Sequence, residues 1–186
     1  MKASLGAKTL GMPNPVWVIG SYNQTGRPNI MTAAWCGICC SQPPCIAVSL
    51  RKATYTYGNL MARKAFTANI PSENYAVQTD YVGMVSGRDT DKFETTGLTP
   101  VRSTIVDAPY INEFPLILEC RVIHVAELGL HTQFVGEIMD VKAEETVLSE
   151  NDPDLLKIKP IVFSPGSRHY YGIGPVLGPA FKIGKQ

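Results

Sequence analysis

The chain lacks the features that mark several large classes of protein. No hydrophobic stretch in its 186 residues approaches the roughly 18 apolar residues that a membrane-spanning helix requires, so we expect no membrane association. Lys and Arg total 17 against 16 Asp and Glu, and this balance gives no reason to expect nucleic acid as a partner. No Gly-x-Gly-x-x-Gly pattern is present, which argues against a Rossmann-type dinucleotide domain.

The sequence also gives no sign of a secretion signal or of a disulfide framework. The segment 1–11 has no continuous apolar run, so we expect a cytoplasmic protein. In that compartment an odd number of cysteines indicates reduced thiols. The five cysteines are Cys36, Cys39, Cys40, Cys45 and Cys120.

Part of the cysteine set has the spacing of a reactive site. Cys36-Gly-Ile-Cys39 matches a Cys-x-x-Cys pair, which can bind zinc or act as a dithiol. Zinc would need a second pair of ligands, and the neighbouring sequence has neither another Cys-x-x-Cys nor a pair of histidines. We therefore predict no metal site, with small packed residues as the alternative role for these cysteines.

Hydrophobic and turn patterns predict a mainly β chain with helices inserted after the third strand. Strands are predicted over 14–22, 29–35, 44–50, 65–70, 116–126, 132–142 and 160–163, the first two forming a hairpin. Helices are predicted over 54–64, 74–85 and 89–96. Because no repeat or low-complexity linker divides the chain, we expect a single domain over residues 1–186, a barrel with helical insertions.

The strand 116–126 alternates between apolar and polar residues. Its pattern places Glu119 and Arg121 together on one face, and His124 on the apolar face as a core residue. The other face carries Leu118, Cys120, Val122 and Ala126.

A candidate anion site lies between the third strand and the first helix. Ser49–Thr56 carries Arg51, Lys52 and several hydroxyl groups where the strand ends and the helix begins. Free N–H groups at a helix N-terminus attract anions, and a cation adds a full charge, so phosphate is the expected ligand. A capped helix with solvated cations is the alternative.

The strand 29–35 is a second candidate. It ends in small residues, and a flat ring system can lie against backbone where side chains are short. A flavin needs such a surface, with donors near its pyrimidine edge where charge accumulates on reduction. A well-packed strand with no ligand is the alternative.

A series of short motifs resembles the flavin reductase-like family, and within it the flavoredoxin and ferric-reductase-like proteins. Each motif is weak alone, but together they recur in one order over residues 12 to about 173. They are Asn14-Pro-x-Trp-Val, Pro28-Asn29-x-Met-Thr32, Pro43-Pro44, Ser49-x-Arg51-Lys52-x-Thr54-x-Thr56, Phe66-x-x-Asn69-Ile-Pro71, Ser86-Gly87-x-Asp-x-Asp91-Lys92-Phe93, Leu118-Glu119-Cys120 and His131-Thr-x-Phe-x-Gly136-Glu137.

The resemblance implies an FMN-binding split β-barrel that forms a homodimer. The strand 29–36 would run beneath the isoalloxazine, the segment 49–56 would cradle the phosphate, 69–71 would line the ribityl side and 86–93 would close the pocket. The implied cofactor-binding residues are Asn29, Met31, Thr32, Ala33, Ala34, Trp35, Cys36, Ser49, Leu50, Arg51, Lys52, Thr54, Thr56, Asn69, Ile70, Pro71, Ser86, Gly87, Lys92 and Phe93.

His131 resembles a family histidine close to the flavin or to nicotinamide, where it would be catalytic as a proton relay or hydrogen-bond donor. A histidine that only ends a turn is the alternative. The resemblance also leaves room for a cysteine thiol near the flavin.

The implied function is transfer of reducing equivalents through FMN. The donor would be NAD(P)H or a redox protein, and the acceptor free flavin, a ferric chelate or a redox protein. The alternative is an FMN-binding electron carrier or passive flavin-binding protein without NAD(P)H-dependent activity.

Overall fold

The computed structural model describes residues 1–185 and is mainly β, as predicted. The strands are β1 (Asn14–Pro15), β2 (Trp17–Tyr22), β3 (Pro28–Ala33), β4 (Cys36–Ser41), β5 (Pro44–Arg51), β6 (Ala65–Ile70), β7 (Pro100–Arg102), β8 (Pro109–Ile111), β9 (Leu116–Leu128), β10 (His131–Ala143), β11 (Leu148–Ser149), β12 (Asp152–Pro153), β13 (Val162–Ser164) and β14 (His169–Tyr171). The α-helices are α1 (Tyr55–Arg63), α2 (Ala76–Met84), α3 (Lys92–Thr96) and α4 (Leu155–Ile158). Within residues 1–185, the helices are too short or too polar to cross a membrane.

The main sheet has seven antiparallel strands in the order β3-β2-β6-β9-β10-β5-β4. Its two edges, β3 and β4, follow one another in the chain but pair with different neighbours. One cluster of buried side chains draws on strands from across the whole sheet, which shows that the sheet curls around a single core. The cluster includes Ile19, Ala33, Ile46, Val48, Leu50, Leu60, Phe66, Cys120 and Phe134.

The core fixes the helix α1 against the sheet. Tyr57 packs edge-on against the buried ring of Phe134, with 5.7 Å between ring centroids. A Cβ at Gly136 would lie 2.6 Å from the Phe66 ring, so the absence of a side chain there lets that ring fill the centre. Since α1 follows β5 directly, this packing sets the position of the strand-to-helix junction.

A second buried cluster attaches α2 and α3 to the β2–β3 hairpin. It contains Val18 and Ile30 of the hairpin, Val82 of α2 and Phe93 of α3. The turn 85–91 between these helices is therefore held beside β3 and the start of α1.

Several predicted elements are confirmed closely. The first hairpin pairs β2 with β3, with Trp17 opposite Ala33 and Tyr22 opposite Pro28. The helix α1 begins after Thr54, whose hydroxyl accepts a hydrogen bond from the Tyr57 N–H at 3.3 Å. These features depend on turn and capping residues that act within a few positions.

The helical insertions differ in detail from the prediction. The segment predicted as one helix over 74–85 is a 3-10 turn over Glu73–Tyr75 followed by α2. The helix predicted from residue 89 begins only at Lys92, because the Asp91 carboxylate caps it by accepting from the Glu94 N–H. Residues 86–90 instead form a turn in which the Ser86 carbonyl accepts from the Asp89 and Thr90 N–H groups.

The prediction that His124 is a core residue is wrong, because a β-bulge reverses the alternation. The partner of Val135 is His124 whereas the partner of Gly136 is Val122, so Ile123 is an extra residue in β9. After the bulge Val125 packs against the core and His124 is exposed.

Glu119 and Arg121, predicted on the same face of β9, differ in their surroundings. Glu119 is fully buried and accepts a hydrogen bond from Lys142 Nζ at 2.7 Å, while Arg121 is exposed and bonds Glu137. The charge of Lys142 compensates the buried carboxylate.

Six strands were not predicted, namely β4, β7, β8, β11, β12 and β14. β4 consists mostly of exposed residues with three cysteines and a glycine, a composition without the usual strand signal. β14 lies in the Gly- and Pro-rich tail and pairs with β13, with Tyr170 opposite Phe163.

Candidate functional site

A cleft of about 370 Å³ lies where β5 ends, α1 begins and the turn after α2 passes over both. Its floor is the β3 residue Met31. Its lining residues are Met31, Arg51, Ala53, Thr54, Tyr55, Thr56, Gly83, Met84, Val85, Ser86, Gly87, Arg88 and Lys92.

The first turn of α1 forms one wall of this cleft. The Thr54 hydroxyl caps the Tyr57 N–H and donates to the Arg51 carbonyl at 2.9 Å. The N–H groups of Tyr55 and Thr56, in the first turn, have no intrahelical acceptor and favour an anion. The predicted strand-to-helix junction is therefore part of a concave site.

Three cations border the cleft, and none of them has a carboxylate partner among the ion pairs of residues 1–185. Arg51 is exposed at the end of β5. Arg88 donates to the Ala53 carbonyl at 3.0 Å and lies over the Tyr55 ring, 5.5 Å from its centroid. An anion in the cleft would supply the negative charge that these residues lack.

The third cation, Lys92, is almost completely buried at 4% exposure. Its Nζ donates to the Val82 carbonyl at 2.7 Å. Burial lowers the pKa of Lys92 to about 8, because removal from water disfavours the charged form. An anion nearby would reverse this shift.

The turn 86–88 approaches β3 so closely that a side chain cannot fit. A Cβ on Gly87 would lie 1.9 Å from Asn29 Oδ1 and 2.8 Å from the Tyr55 ring. The Asn29 amide donates to Thr56 Oγ1 at 3.0 Å, whereas its Oδ1 is buried without a hydrogen-bond partner. This acceptor is covered by the turn, because it lies against Gly87 and Asn29 is not among the residues that line the cleft.

A smaller pocket of about 240 Å³ continues from the cleft and shares Gly83 and Met84 with it. We call the cleft and this pocket together the trough. The pocket is lined by Val16, Thr32, Ala34, Asp80, Gly83, Met84, Phe163 and Tyr170. It offers the backbone of β3 on one side and the C-terminal strands on the other.

Tyr170 closes the far end of the trough. Its hydroxyl donates to Asp80 Oδ1 at 2.9 Å, joining β14 to α2. Burial, together with this hydrogen bond and the charge of Asp80, raises the pKa of Tyr170 to about 12, so the hydroxyl keeps its proton near neutral pH.

Ten of the residues predicted to bind a cofactor meet at the trough. Asn29 lies beneath it, and Thr32 and Ala34 line the smaller pocket. Those that line the cleft are Met31, Arg51, Thr54, Thr56, Ser86, Gly87 and Lys92.

The structure places the other predicted residues outside the trough lining. Ala33, Leu50 and Phe93 are core residues, and Ile70 and Pro71 are also buried. The Ser49 N–H donates to the Trp35 carbonyl at 2.8 Å. Asn69, expected at the ribityl side, is fully buried. Its side-chain amide donates to Val18 O and Thr67 Oγ1 and accepts from the Ile111 N–H, so its hydrogen-bonding groups are used within the protein.

Lys52 and His131 also do not line the trough. Lys52 points to β9, where its Nζ pairs with Glu127 at 2.7 Å. His131 is half-buried and lies directly opposite Arg51 in the β10–β5 pairing, so the two side chains share a face of the sheet. His131 is therefore one strand away from the cleft wall.

The Cys36 thiol is in contact with the backbone of the β3–β4 turn. Its Sγ lies 3.5 Å from the Ala33 carbonyl, and burial raises the pKa of Cys36 to about 12. The thiol is therefore protonated near neutral pH and a poor nucleophile. Within residues 1–185 there is no group of His, Cys, Asp and Glu side chains that could hold a metal ion.

Sequence reasoning missed several lining residues. Arg88 occupies an unspecified position within the Ser86–Phe93 motif, and Tyr55 lies between the two threonines of another, so both could have been included by proximity. Asp80 and Tyr170 are 90 positions apart, and no local pattern predicts their contact.

The chain belongs to the flavin reductase like domain family, whose profile matches residues 9–172. Flavoredoxin of Desulfovibrio vulgaris (Miyazaki F) is 55% identical, with each chain covered over 100% of its length and a TM-score of 0.95. Flavoredoxin from Methanosarcina acetivorans is 31% identical, over 100% of this chain and 97% of the other, with a TM-score of 0.90.

A more distant structure shows the same fold. A protein with a split barrel domain from Shewanella frigidimarina NCIMB 400 is 22% identical over 97% of this chain and 99% of the other, with a TM-score of 0.85. The predicted fold class, a mainly β split barrel with helical insertions, is confirmed.

Proposed function

We propose that the trough binds FMN and that the protein uses it to transfer reducing equivalents. The observation that carries this proposal is that Arg51, Arg88 and Lys92 border the cleft at the first turn of α1 and form no ion pair with a carboxylate within residues 1–185. The family membership and the similarity to flavoredoxins support a flavin as the ligand.

The cleft would hold the phosphate and ribityl end. Arg88 can present two N–H donors to a phosphate, and the free N–H groups of Tyr55 and Thr56 face the same space. A single anion site at one end of the trough suits a mononucleotide.

The smaller pocket would hold the ring edge. The backbone beside Thr32 and Ala34 offers N–H and C=O groups to the pyrimidine edge, and Met31 supports the ring from below. When bound, FMN supplies hydride and electron transfer chemistry. The residues of this chain orient the ring, exclude water at the Tyr170 end and compensate negative charge.

Replacing Arg88 is expected to weaken FMN binding. Arg88→Ala removes a charge-assisted contact of about 1.5–3 kcal/mol, which corresponds to roughly a tenfold to hundredfold higher Kd. Lys52→Ala is the matched control, since Lys52 pairs with Glu127 outside the cleft and its loss should change Kd less than about twofold. Fluorescence titration of FMN measures both. An equal increase in Kd for Arg88→Ala and Lys52→Ala would show that the phosphate does not bind beside Arg88.

Two functions remain to be separated by experiment: an NAD(P)H-dependent reductase and an electron carrier. The similarity to flavoredoxins favours the carrier, while His131 beside Arg51 favours a site for a nicotinamide over the flavin. Anaerobic mixing of the FMN-loaded protein with NADH or NADPH tests the reductase. Bleaching of the flavin followed by reduction of a ferric chelate or free flavin supports it, and a flavin that only dithionite bleaches contradicts it.

His131 is proposed as a hydrogen-bond donor to the electron donor. His131→Gln should slow flavin reduction by NAD(P)H while leaving the Kd for FMN unchanged, because His131 does not line the trough. A matched change at the exposed His124 should affect neither quantity. If His131→Gln leaves the reduction rate at the wild-type value, the assignment is wrong.

We also propose a cytoplasmic homodimer. The five free thiols suit a reducing compartment, and several large apolar side chains are exposed, including Ile38 at 66% and Leu130 at 64%. An apolar groove of about 380 Å³ that includes Ile38 and Trp17 offers a surface for a second copy. Light scattering should give twice the chain mass of 20.3 kDa, and a monomer at micromolar concentration would contradict this.

A further inference from the structure

The hairpin of β4 and β5 places two cysteines directly opposite one another. Cys40 pairs with Cys45 in the antiparallel register, next to the pair of Ser41 and Pro44 that flanks the turn. Opposite residues of an antiparallel pair have Cβ atoms about 4.5–5.5 Å apart and Cα atoms about 4.5–5.5 Å apart. A disulfide usually joins residues whose Cα atoms are about 4.4–6.8 Å apart, so only a small approach of the side chains is needed.

Both thiols point toward the turn. Cys40 Sγ donates to the Gln42 carbonyl at 3.4 Å, and Cys45 Sγ donates to the Pro43 carbonyl at 3.3 Å. The pKa of Cys45 is raised, first by burial and further by the neighbouring thiols of Cys40 and Cys39 and by Glu137. The register and the two contacts at the turn place both side chains at the same end of the hairpin, where they are free thiols.

Cys40 and Cys45 differ in exposure, and this difference suits a two-step thiol–disulfide exchange. Cys40 is exposed, whereas Cys45 is 2% exposed. An exposed thiol can react with a molecule from solution, and a buried neighbour can then attack the resulting mixed disulfide. Cys39, the extra residue of the bulge between Ile38 and Cys40, is a third exposed thiol close by.

The remaining cysteines do not fit this role. The half-buried Cys36 thiol bonds the Ala33 carbonyl, and its pKa is raised to about 12. Cys120 is fully buried in the core, and burial raises its pKa as well. What separates them from Cys40 and Cys45 is the strand register, because Cys36 lies opposite Val48 and Cys120 lies opposite Phe66 and Ile138, so neither faces another cysteine.

We propose that Cys40 and Cys45 form a reversible cross-strand disulfide. The Cys40 thiolate attacks a small-molecule disulfide, forms a mixed disulfide and releases one small thiol. The Cys45 thiolate then attacks the Cys40 sulfur, which forms the intramolecular bond and releases the second small thiol. The protein loses two hydrogens, and the small disulfide gains them as two thiols.

The disulfide would fasten an edge of the main sheet. β4 is an edge strand that pairs with β5 on one side, and the new bond would join the two covalently near the turn. A bond that is formed and broken by the thiol pool is the usual type in a reducing compartment. This proposal does not depend on FMN binding.

The test exposes the full-length reduced protein to increasing ratios of oxidised to reduced glutathione, followed by rapid alkylation. Of the five free thiols, two should be lost, with a mass decrease of two hydrogens and no bound glutathione. Fragmentation by mass spectrometry should place the crosslink between residues 40 and 45. Excess reduced glutathione should restore all the thiols.

Variants identify the pair. Cys40→Ser and Cys45→Ser should each abolish the loss of two hydrogens, and Cys45→Ser should accumulate a glutathione adduct on Cys40. Cys39→Ser and Cys36→Ser are the matched controls and should retain the crosslink, with circular dichroism confirming that each variant is folded. Full alkylation of the wild-type protein at every ratio would overturn the proposal, as would loss of the crosslink in Cys39→Ser.

Discussion

Gly87→Ala is expected to raise the Kd for FMN by about tenfold to hundredfold. A Cβ at this position would lie 1.9 Å from Asn29 Oδ1, and the Asn29 amide is itself held by Thr56 at 3.0 Å. The turn must then move away from β3 and carry Ser86 and Arg88 out of place. Overpacking of this kind costs about 1–3 kcal/mol, and because the displaced turn carries the cleft residues Ser86 and Arg88, we expect this cost to weaken binding.

Gly58→Ala is the matched control for Gly87→Ala. A Cβ on Gly58 in α1 would meet nothing within 4 Å, so it disturbs no contact of the cleft. This variant should bind FMN as the wild type does, and it should be more stable by about 0.5–1 kcal/mol, because Ala favours the helix. Isothermal titration and urea unfolding measure the two quantities. Wild-type affinity in Gly87→Ala would show that the turn does not contact the ligand.

FMN binding is expected to weaken as the pH rises above about 8, through deprotonation of Lys92. Burial lowers the pKa of Lys92 to about 8 in the protein without ligand, from 10.5 in the unfolded chain. A phosphate nearby favours the charged form and raises this pKa again, so binding takes up a proton above pH 8. The Kd should then increase by up to about tenfold per pH unit.

The stability of the ligand-free protein should change in the opposite direction. Between about pH 8 and 10.5 the unfolded chain holds the Lys92 proton more tightly than the folded chain does. The unfolded state therefore binds more protons, and the free energy of unfolding rises with pH across this interval. Below about pH 8 and above about pH 10.5 the two states bind the same number of protons at Lys92, so its effect on the slope disappears there.

Lys92→Met tests whether Lys92 contributes to FMN binding and to its pH dependence. The variant should have a Kd at pH 7 that is roughly tenfold to hundredfold higher, from loss of a charge-assisted contact, and a flat pH profile between pH 7.5 and 9. Lys52→Met is the control, because Lys52 pairs with Glu127 and should retain the wild-type profile. A profile unchanged in Lys92→Met would remove Lys92 from the binding site.

Local signals predicted the elements that position the site. The Thr54 cap, the hairpin of β2 and β3 and the end of β5 at Arg51 depend on residues within a few positions of each other. The strand-to-helix junction could therefore be located from the sequence, together with the motif that contains Gly87 and Lys92.

Side-chain direction could not be predicted in the same way. Arg51 and Lys52 are adjacent, yet Arg51 lines the cleft and Lys52 points to Glu127 on β9. The direction of each side chain depends on strand pairing across the sheet, which the local sequence pattern does not contain. The bulge at Ile123, which exposes His124, has the same origin.

The remaining features of the site that the sequence did not predict depend on long-range contacts. Asn69 belongs to a family-like motif, but its amide is used by Val18, Thr67 and Ile111, which only the folded sheet brings together. Tyr170 reaches Asp80 through the pairing of β14 with β13, in a tail whose composition favours irregular structure.

Titration of the ligand-free protein with FMN tests directly whether the trough binds this cofactor. We expect quenching of flavin fluorescence that saturates at one FMN per chain, and competition by inorganic phosphate at millimolar concentration. Unquenched fluorescence at micromolar protein, with no flavin absorbance retained after gel filtration, would contradict it.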